Sequence, residues 1–255
     1  MNDPHVESLH YRVTIESDSV KLSPEARDQL DLNGFSCQLE GSQLVATPTD
    51  HFATETKARS ALEPALEAWE FEAELRTRIR WRFRFKKATV VDRRPTPGKV
   101  EVGLASSVEV ASSVDAVLTF GAYPNLTQTM FTVTPFAEVL RMKWRRVVEN
   151  REGLLAGAYW CITAVDDHYG GRKEAARLLG ISRAALDRIA RLCAIDDPEL
   201  GRKVGGPKAL LSSGEESWLR NAIPRMILRV AEVESGSPVS TQLSNPDLGA
   251  DVRIT

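Results

Sequence analysis

Cysteine is scarce in this chain and histidine nearly as rare, and both shortages narrow the chemistry open to it. The three cysteines (Cys37, Cys161, Cys193) stand far apart in 255 residues and are odd in number. They outline neither a disulfide framework nor a zinc site, and read as buried thiols of a reducing compartment. The cytoplasm is the expected location. The four histidines (His5, His10, His51, His168) lack metal-ligand spacing, so no metal and no other cofactor is expected. No apolar run reaches the roughly 18 residues of a membrane-spanning helix. The opening MNDPHVESLH has neither the basic start nor the apolar core of a secretory leader. Charge of one sign is missing as well: 33 Lys and Arg against 35 Asp and Glu leave a net −2, which excludes a uniformly basic nucleic-acid coat.

Catalytic signatures are also lacking. There is no G-x-S-x-G elbow, no H-E-x-x-H and no P-loop; GRKVGGPK (201–208) has proline where a P-loop needs Gly-Lys. That stretch reads as a solvated connection or an anion contact. Asp166-Asp167-His168 is the one acid–histidine cluster, and consecutive helical residues point in different directions. It suits a helix C-terminus, where His168 complements the dipole, better than a catalytic set. The chain is therefore read as a non-enzyme, with a site assembled from distant residues as the remaining enzymatic alternative.

What is present is an α+β pattern: an N-terminal mixed domain with antiparallel hairpins over about 1–125, then a C-terminal α-helical bundle. The expected boundaries are a linker at 126–133, a helical domain at 134–233 and a disordered Ser-, Pro- and Gly-bearing tail at 234–255. Leu9, Tyr11, Val13 and Ile15 alternate with polar residues as in a half-buried strand. Ser23-Pro24 predicts the start of a short helix ending near Asn33-Gly34. Phe35 to Pro48 predicts a hairpin turning at Gly41-Ser42. Thr54 to Trp69 predicts a helix, with a kink or break at Pro64. Arginine or lysine then fills every even position from Arg76 to Lys86, with Ile79, Trp81, Phe83 and Phe85 between. A strand puts the bases on one face. A hairpin at Arg76-Thr77-Arg78 predicts the cross-strand pairs Glu74–Arg80, Glu72–Arg82 and Glu70–Arg84, which neutralise the stripe. The alternative is a basic face holding nucleic acid or an anionic ligand. Short strands are expected at 100–104, 108–111, 116–120 and 130–133.

From Thr134 the period turns helical. Thr134-Pro135 predicts a helix start running to about Glu149, and a more apolar helix over Glu152 to His168 should lie at the bundle centre. Ser212-Ser213 with Glu215 and Glu216 predicts a capped last helix, bent at Pro224.

Gly171 to Leu192, GRKEAARLLGISRAALDRIARL, is the most informative stretch. Ala176 is small where two helices would cross, and Gly180 can take the positive φ of a tight turn. Leu179 and Ile181 flank it, Ser182 can N-cap the second helix, and Leu186, Ile189 and Leu192 form its inner face. These are the parts of a helix-turn-helix.

The segment resembles the helix-turn-helix of the Fis family of nucleoid and enhancer-binding proteins, which reads roughly A-A-x-x-L-G-I-S-R-x-x-L. The resemblance covers about 25 of the 255 residues. It implies double-stranded DNA as partner, with Ser182, Arg183, Ala184, Asp187, Arg188 and Arg191 on the exposed face of the second helix. Arg183 and Arg188 would meet base edges, and Arg172, Lys173 and Arg177 phosphates. Asp187 departs from the family's pattern; an acid there accepts from cytosine or pairs with a nearby arginine. Six basic residues against two acids between Gly170 and Arg191 give local, salt-dependent attraction, and useful affinity would call for a dimer or larger assembly. The expected function is regulatory DNA binding, with the N-terminal domain as sensor or assembly module. The rival is a protein–protein adaptor in which the helix-turn-helix is only architectural.

Overall fold

The computed structural model describes residues 2–17, 20–94, 118–124, 131–194, 211–239 and 241–249. The strands expected at 100–104 and 108–111 and the glycine-rich loop at 201–208 lie outside them. The fold is α+β. It divides into two compact units, Met1–Glu70 with Ile79–Pro124, and Phe71–Arg78 with Asn125–Thr255.

The first unit is a five-stranded antiparallel sheet in the order β3-β4-β5-β1-β6. Its strands are β1 (Pro4–Glu16), β3 (Arg27–Leu32), β4 (Phe35–Glu40), β5 (Gln43–Pro48) and β6 (Arg80–Asp92). The inward set Leu9, Tyr11, Val13, Leu39, Leu44 and Ala46 is buried, as the alternation requires. Helix α1 (Glu55–Thr77) covers this face: Trp69 lies 4.9 Å from the Phe83 ring, and Arg59 sits 4.1 Å over Phe85. A short parallel pair joins β2 (Val20–Leu22) to β7 (Leu118–Phe120). Two bonds fasten the chain after β7, Tyr123 Oη donating to the Gly41 carbonyl at 2.6 Å and Trp69 Nε1 to that of Pro124 at 3.0 Å.

Two expectations in this half are corrected. The segment after Pro24 is not a helix but a turn leading into β3, which pairs with β4 throughout. The decisive signal is Asn33-Gly34, both at positive φ (47° and 80°), a two-residue turn that matches the twist of a hairpin. Glu70 to Leu75 is not a strand either. It continues α1, which passes Pro64 uninterrupted, so the hairpin at Arg76–Arg78 and its three ion pairs do not exist. The alternating acids are interleaved with Ala73 and Leu75, all good helix formers, and Glu72 closes a 2.7 Å pair on Arg76 one turn later. Arg78 at φ 62° follows the end of the helix. The basic stripe of β6 does face ion pairs, but its partners are Glu16 on β1 and Glu70 on α1.

The second unit is helical: α2 (Pro135–Val148), α3 (Leu154–His168), α4 (Arg172–Leu179), α5 (Arg183–Cys193), α6 (Ser213–Glu234) and α7 (Asn245–Gly249). The caps explain the starts. Thr134 accepts from the Ala137 amide, and Ser212 forms the reciprocal capping box with Glu215. α3 begins at Leu154 instead of Glu152, because Glu152 turns aside to an ion pair with Lys143 at 2.6 Å. α2 crosses α3 at Gly157, where a Cβ would stand 2.1 Å from Val147 Cγ2. α6 continues through Pro224. Inside this unit the α1 residue Glu74 is buried and receives Arg141 at 2.5 Å and Arg145 at 2.5 and 2.7 Å. All three cysteines are buried and free, and burial pushes each thiol up to about 12. Residues 131–133 form no strand, and no helix among the described residues is long and apolar enough to cross a membrane.

The tail expected to be disordered is partly folded. Leu248 is fully buried, Trp218 Nε1 donates to the Asn245 carbonyl at 2.9 Å, and Leu243 bridges Ile181 in parallel. Two apolar side chains and a capping turn, in which the Ser244 amide and hydroxyl both donate to Asp247, suffice to dock it.

Candidate nucleic-acid interface

α4 and α5 meet through a turn whose geometry follows from three residues. Gly180 takes the left-handed conformation (φ 57°, ψ 34°) that ends α4, Ile181 is fully buried, and Ser182 accepts from the Ala185 amide to start α5. Ala175, Ala176 and Leu179 of α4 and Leu186, Ile189 and Leu192 of α5 are all buried. This inner face fixes the outer one: Arg183, Ala184, Asp187 and Arg191 are exposed along α5, while Ser182 and Arg188 are partly covered.

The seven basic and polar residues singled out from the sequence do not stand alike. Arg183 is exposed, with Nε 3.6 Å from Asp187. Arg191 and Lys173 are exposed and form no ion pair among the described residues. Arg177 is bound to Glu174 at 2.8 Å on its own helix. Arg172 is drawn inward: Asp166 of α3 holds it at 2.5 Å, and Asp187 at 3.3 Å. Asp187 thus spends its charge on two arginines, as an acid on a basic face commonly does. Arg188 places its Cζ over the Trp218 indole of α6, 4.3 Å from the centroid, a cation–π contact that leaves the side chain only partly exposed. The exposed cationic set is therefore Lys173, Arg177, Arg183 and Arg191.

The C-terminal segment takes part in the site, which sequence reasoning missed. Leu243 donates to the Gly180 carbonyl at 2.8 Å and accepts from the Ser182 amide at 2.7 Å. A Cβ on Gly180 would stand 2.2 Å from Val239 Cγ1, and Arg229 Nη1 donates to the Thr241 carbonyl at 3.1 Å. The turn is thus backed by a second length of chain. The readable signal was Ser244-Asn245-Pro246-Asp247-Leu248, a capping box with proline in the first turn and an apolar residue after it.

The acid–histidine cluster is dispersed. His168, the last residue of α3, stacks on Phe136 at 3.9 Å and pairs with Glu234 at 2.5 Å, while Asp166 faces Arg172. Among the described residues no group of three or more His, Cys, Asp or Glu could hold a metal ion. Comparison with family models, with curated proteins and with solved structures finds no match to this chain.

Proposed function

We propose that this chain is a cytoplasmic DNA-binding protein of regulatory type. α4 and α5 act as a helix-turn-helix of the Fis kind, and the sheet unit serves as sensor or assembly module. The observation that carries the reading is the exposed face of α5, which presents Arg183, Ala184 and Arg191 beyond a Ser182 cap with the inner face fully packed. Arg183 and Arg191 stand where base edges or phosphates would be met, and Lys173 and Arg177 extend the basic surface onto α4. Arg172 and Arg188 are engaged within the protein and hold the helices in place. Four cations give modest affinity at one site, so a dimer or larger assembly is part of the proposal.

Anisotropy of a labelled random-sequence duplex, read at low and physiological salt, tests it. The wild type should bind with a steep salt dependence, and Arg183→Ala with Arg191→Ala should weaken a selected site by roughly 1–3 kcal/mol per lost base contact. Equal binding by a folded double variant removes α5 from the interface. The adaptor reading has its own support: Asp187 neutralises part of the face, and Val139 and Met142 of α2 are about half exposed at 48% and 53%. Self-association with no DNA binding at low salt would favour it.

A further inference from the structure

The outer face of the sheet carries a charge imbalance that its own ion pairs do not relieve. The β1–β6 register sets Arg12 opposite Arg84, Thr14 opposite Arg82 and Glu16 opposite Arg80, with His10 opposite Lys87 across a bulge. Because Leu9, Tyr11 and Val13 are buried against α1, these alternate residues face outward. Like charges directly opposite one another destabilise a sheet, and Arg12 with Arg84 is such a pair. The bulge at Lys86 leaves two adjacent lysines, Lys86 and Lys87, both exposed.

The carboxylates are too few. Glu16 alone serves Arg80 at 2.7 Å, Arg84 at 3.5 Å and Arg82 at 3.7 Å, and Glu70 takes a share of Arg82 at 2.6 Å. β6 has no acid between Arg80 and Val91. Arg12, Lys86 and Lys87 form no ion pair among the described residues. The surplus is therefore concentrated in the middle of the strand pair, over Arg12, Arg84, Lys86 and Lys87, between Glu16 at one end and Glu7 and Asp92 toward the other.

From this we infer that the outer face of the β1–β6 pair binds the sugar-phosphate backbone of nucleic acid, a contact separate from α5. Three features favour a phosphate chain. Alternate residues along a strand repeat at about 6.6 Å, on the scale of the spacing between successive phosphates. Paired guanidiniums across two strands offer several donors to one tetrahedral anion. The aromatic residues Trp81, Phe83 and Phe85 lie on the other face, so base stacking has no platform and the contact follows the backbone irrespective of sequence. The inference does not rest on the helix-turn-helix reading.

The test uses the full chain carrying Arg12→Gln, Lys86→Gln and Lys87→Gln, all exposed positions outside the core, with Lys86→Arg/Lys87→Arg as the charge-retaining control. Circular dichroism checks that each variant is folded. Binding to a labelled random duplex is followed across a salt series beside the wild type and the α5 variant Arg183→Ala/Arg191→Ala. The triple variant should lose several-fold in affinity at low salt, with a slope of log K against log salt shallower by about two to three, while the Lys-to-Arg control keeps the wild-type slope. A wild-type slope in the folded triple variant overturns the inference. So does loss of poly-glutamate binding with duplex binding intact, which would assign the face to an acidic protein segment. An intact slope in the α5 variant with a reduced one in the triple variant removes the helix reading and leaves this one standing.

Discussion

The guanidinium of Arg188 lies 4.3 Å over the indole of Trp218, whose own N–H donates to the Asn245 carbonyl. One tryptophan therefore ties α5 and the C-terminal segment to α6. Replacing Arg188 with alanine should lower the stability of the helical unit by about 0.5–1 kcal/mol, because the contact is partly shielded from water. A denaturant titration gives that value. The same variant should bind non-specific duplex much as the wild type does, since the Arg188 side chain is only partly exposed.

The docked tail makes a second prediction. Leu248→Ala removes a fully buried side chain and should cost about 2–5 kcal/mol. Truncation after Ser237 should go further and raise the amide exchange rate of Ser182, whose N–H bonds to the Leu243 carbonyl. Unchanged exchange in the truncated chain would show that the bond does not persist in solution.

Glu74 is the single carboxylate between Arg141 and Arg145, and all three are largely buried. Glu74→Ala leaves Arg141 to Glu138 alone, 2.6 Å away, but strips Arg145 of its buried carboxylate, and should destabilise the protein by about 3–5 kcal/mol. Adding Arg145→Met should recover part of that loss, because an apolar side chain of similar length needs no partner. The recovery is read from the melting temperatures of the single and double variants.

Histidine titration gives a pH dependence with a definite sign. His5 is held below its ordinary value of 6.5 by burial first, then by Arg93 and by His51, whose ring stacks on it at 5.1 Å, while Asp3 and Glu7 pull the other way. His10 is lowered likewise, by burial and by Lys87. The unfolded chain takes up these protons first. Above 6.5 the groups are neutral in both states and contribute nothing; as pH falls through 6.5 the unfolded state gains, and stability drops until the folded values are passed. Melting temperature against pH should therefore decline below about 6.5 in the wild type. The decline should be shallower in His5→Asn, and an identical profile would remove His5 from the account.

Legibility in the sequence tracked how local the deciding interaction is. α2, α5 and α6 announce themselves through caps immediately before the helix start, at Thr134, Ser182 and Ser212, and the Gly180 turn through one backbone conformation. Glu70 to Leu75 misled because charge alternates there with period two while every residue but one favours a helix; its burial is set by packing far away in the chain. The partners of the arginine stripe were hidden for the same reason, since Glu16 reaches it only through the β1–β6 register. The tail was misread because polar composition outweighed a capping box that was in plain sight. Within the interface, exposure could be assigned residue by residue from the helical period. The inward pull of Asp166 and Trp218 on Arg172 and Arg188 could not, as both come from other helices.

β6 stands at one end of the sheet order, and an edge strand is a template on which further strands can grow. Glu70 alters that. One of its oxygens accepts the Phe83 amide at 2.6 Å while the other holds Arg82, so a side chain of α1 occupies a main-chain donor that an incoming strand would need. A peptide arriving there would have to evict a charged side chain and lie beside a row of arginines. Strand addition at this border is thereby opposed by a carboxylate, and a second copy extending the sheet through hydrogen bonds would be directed to β3, at the other end of the strand order.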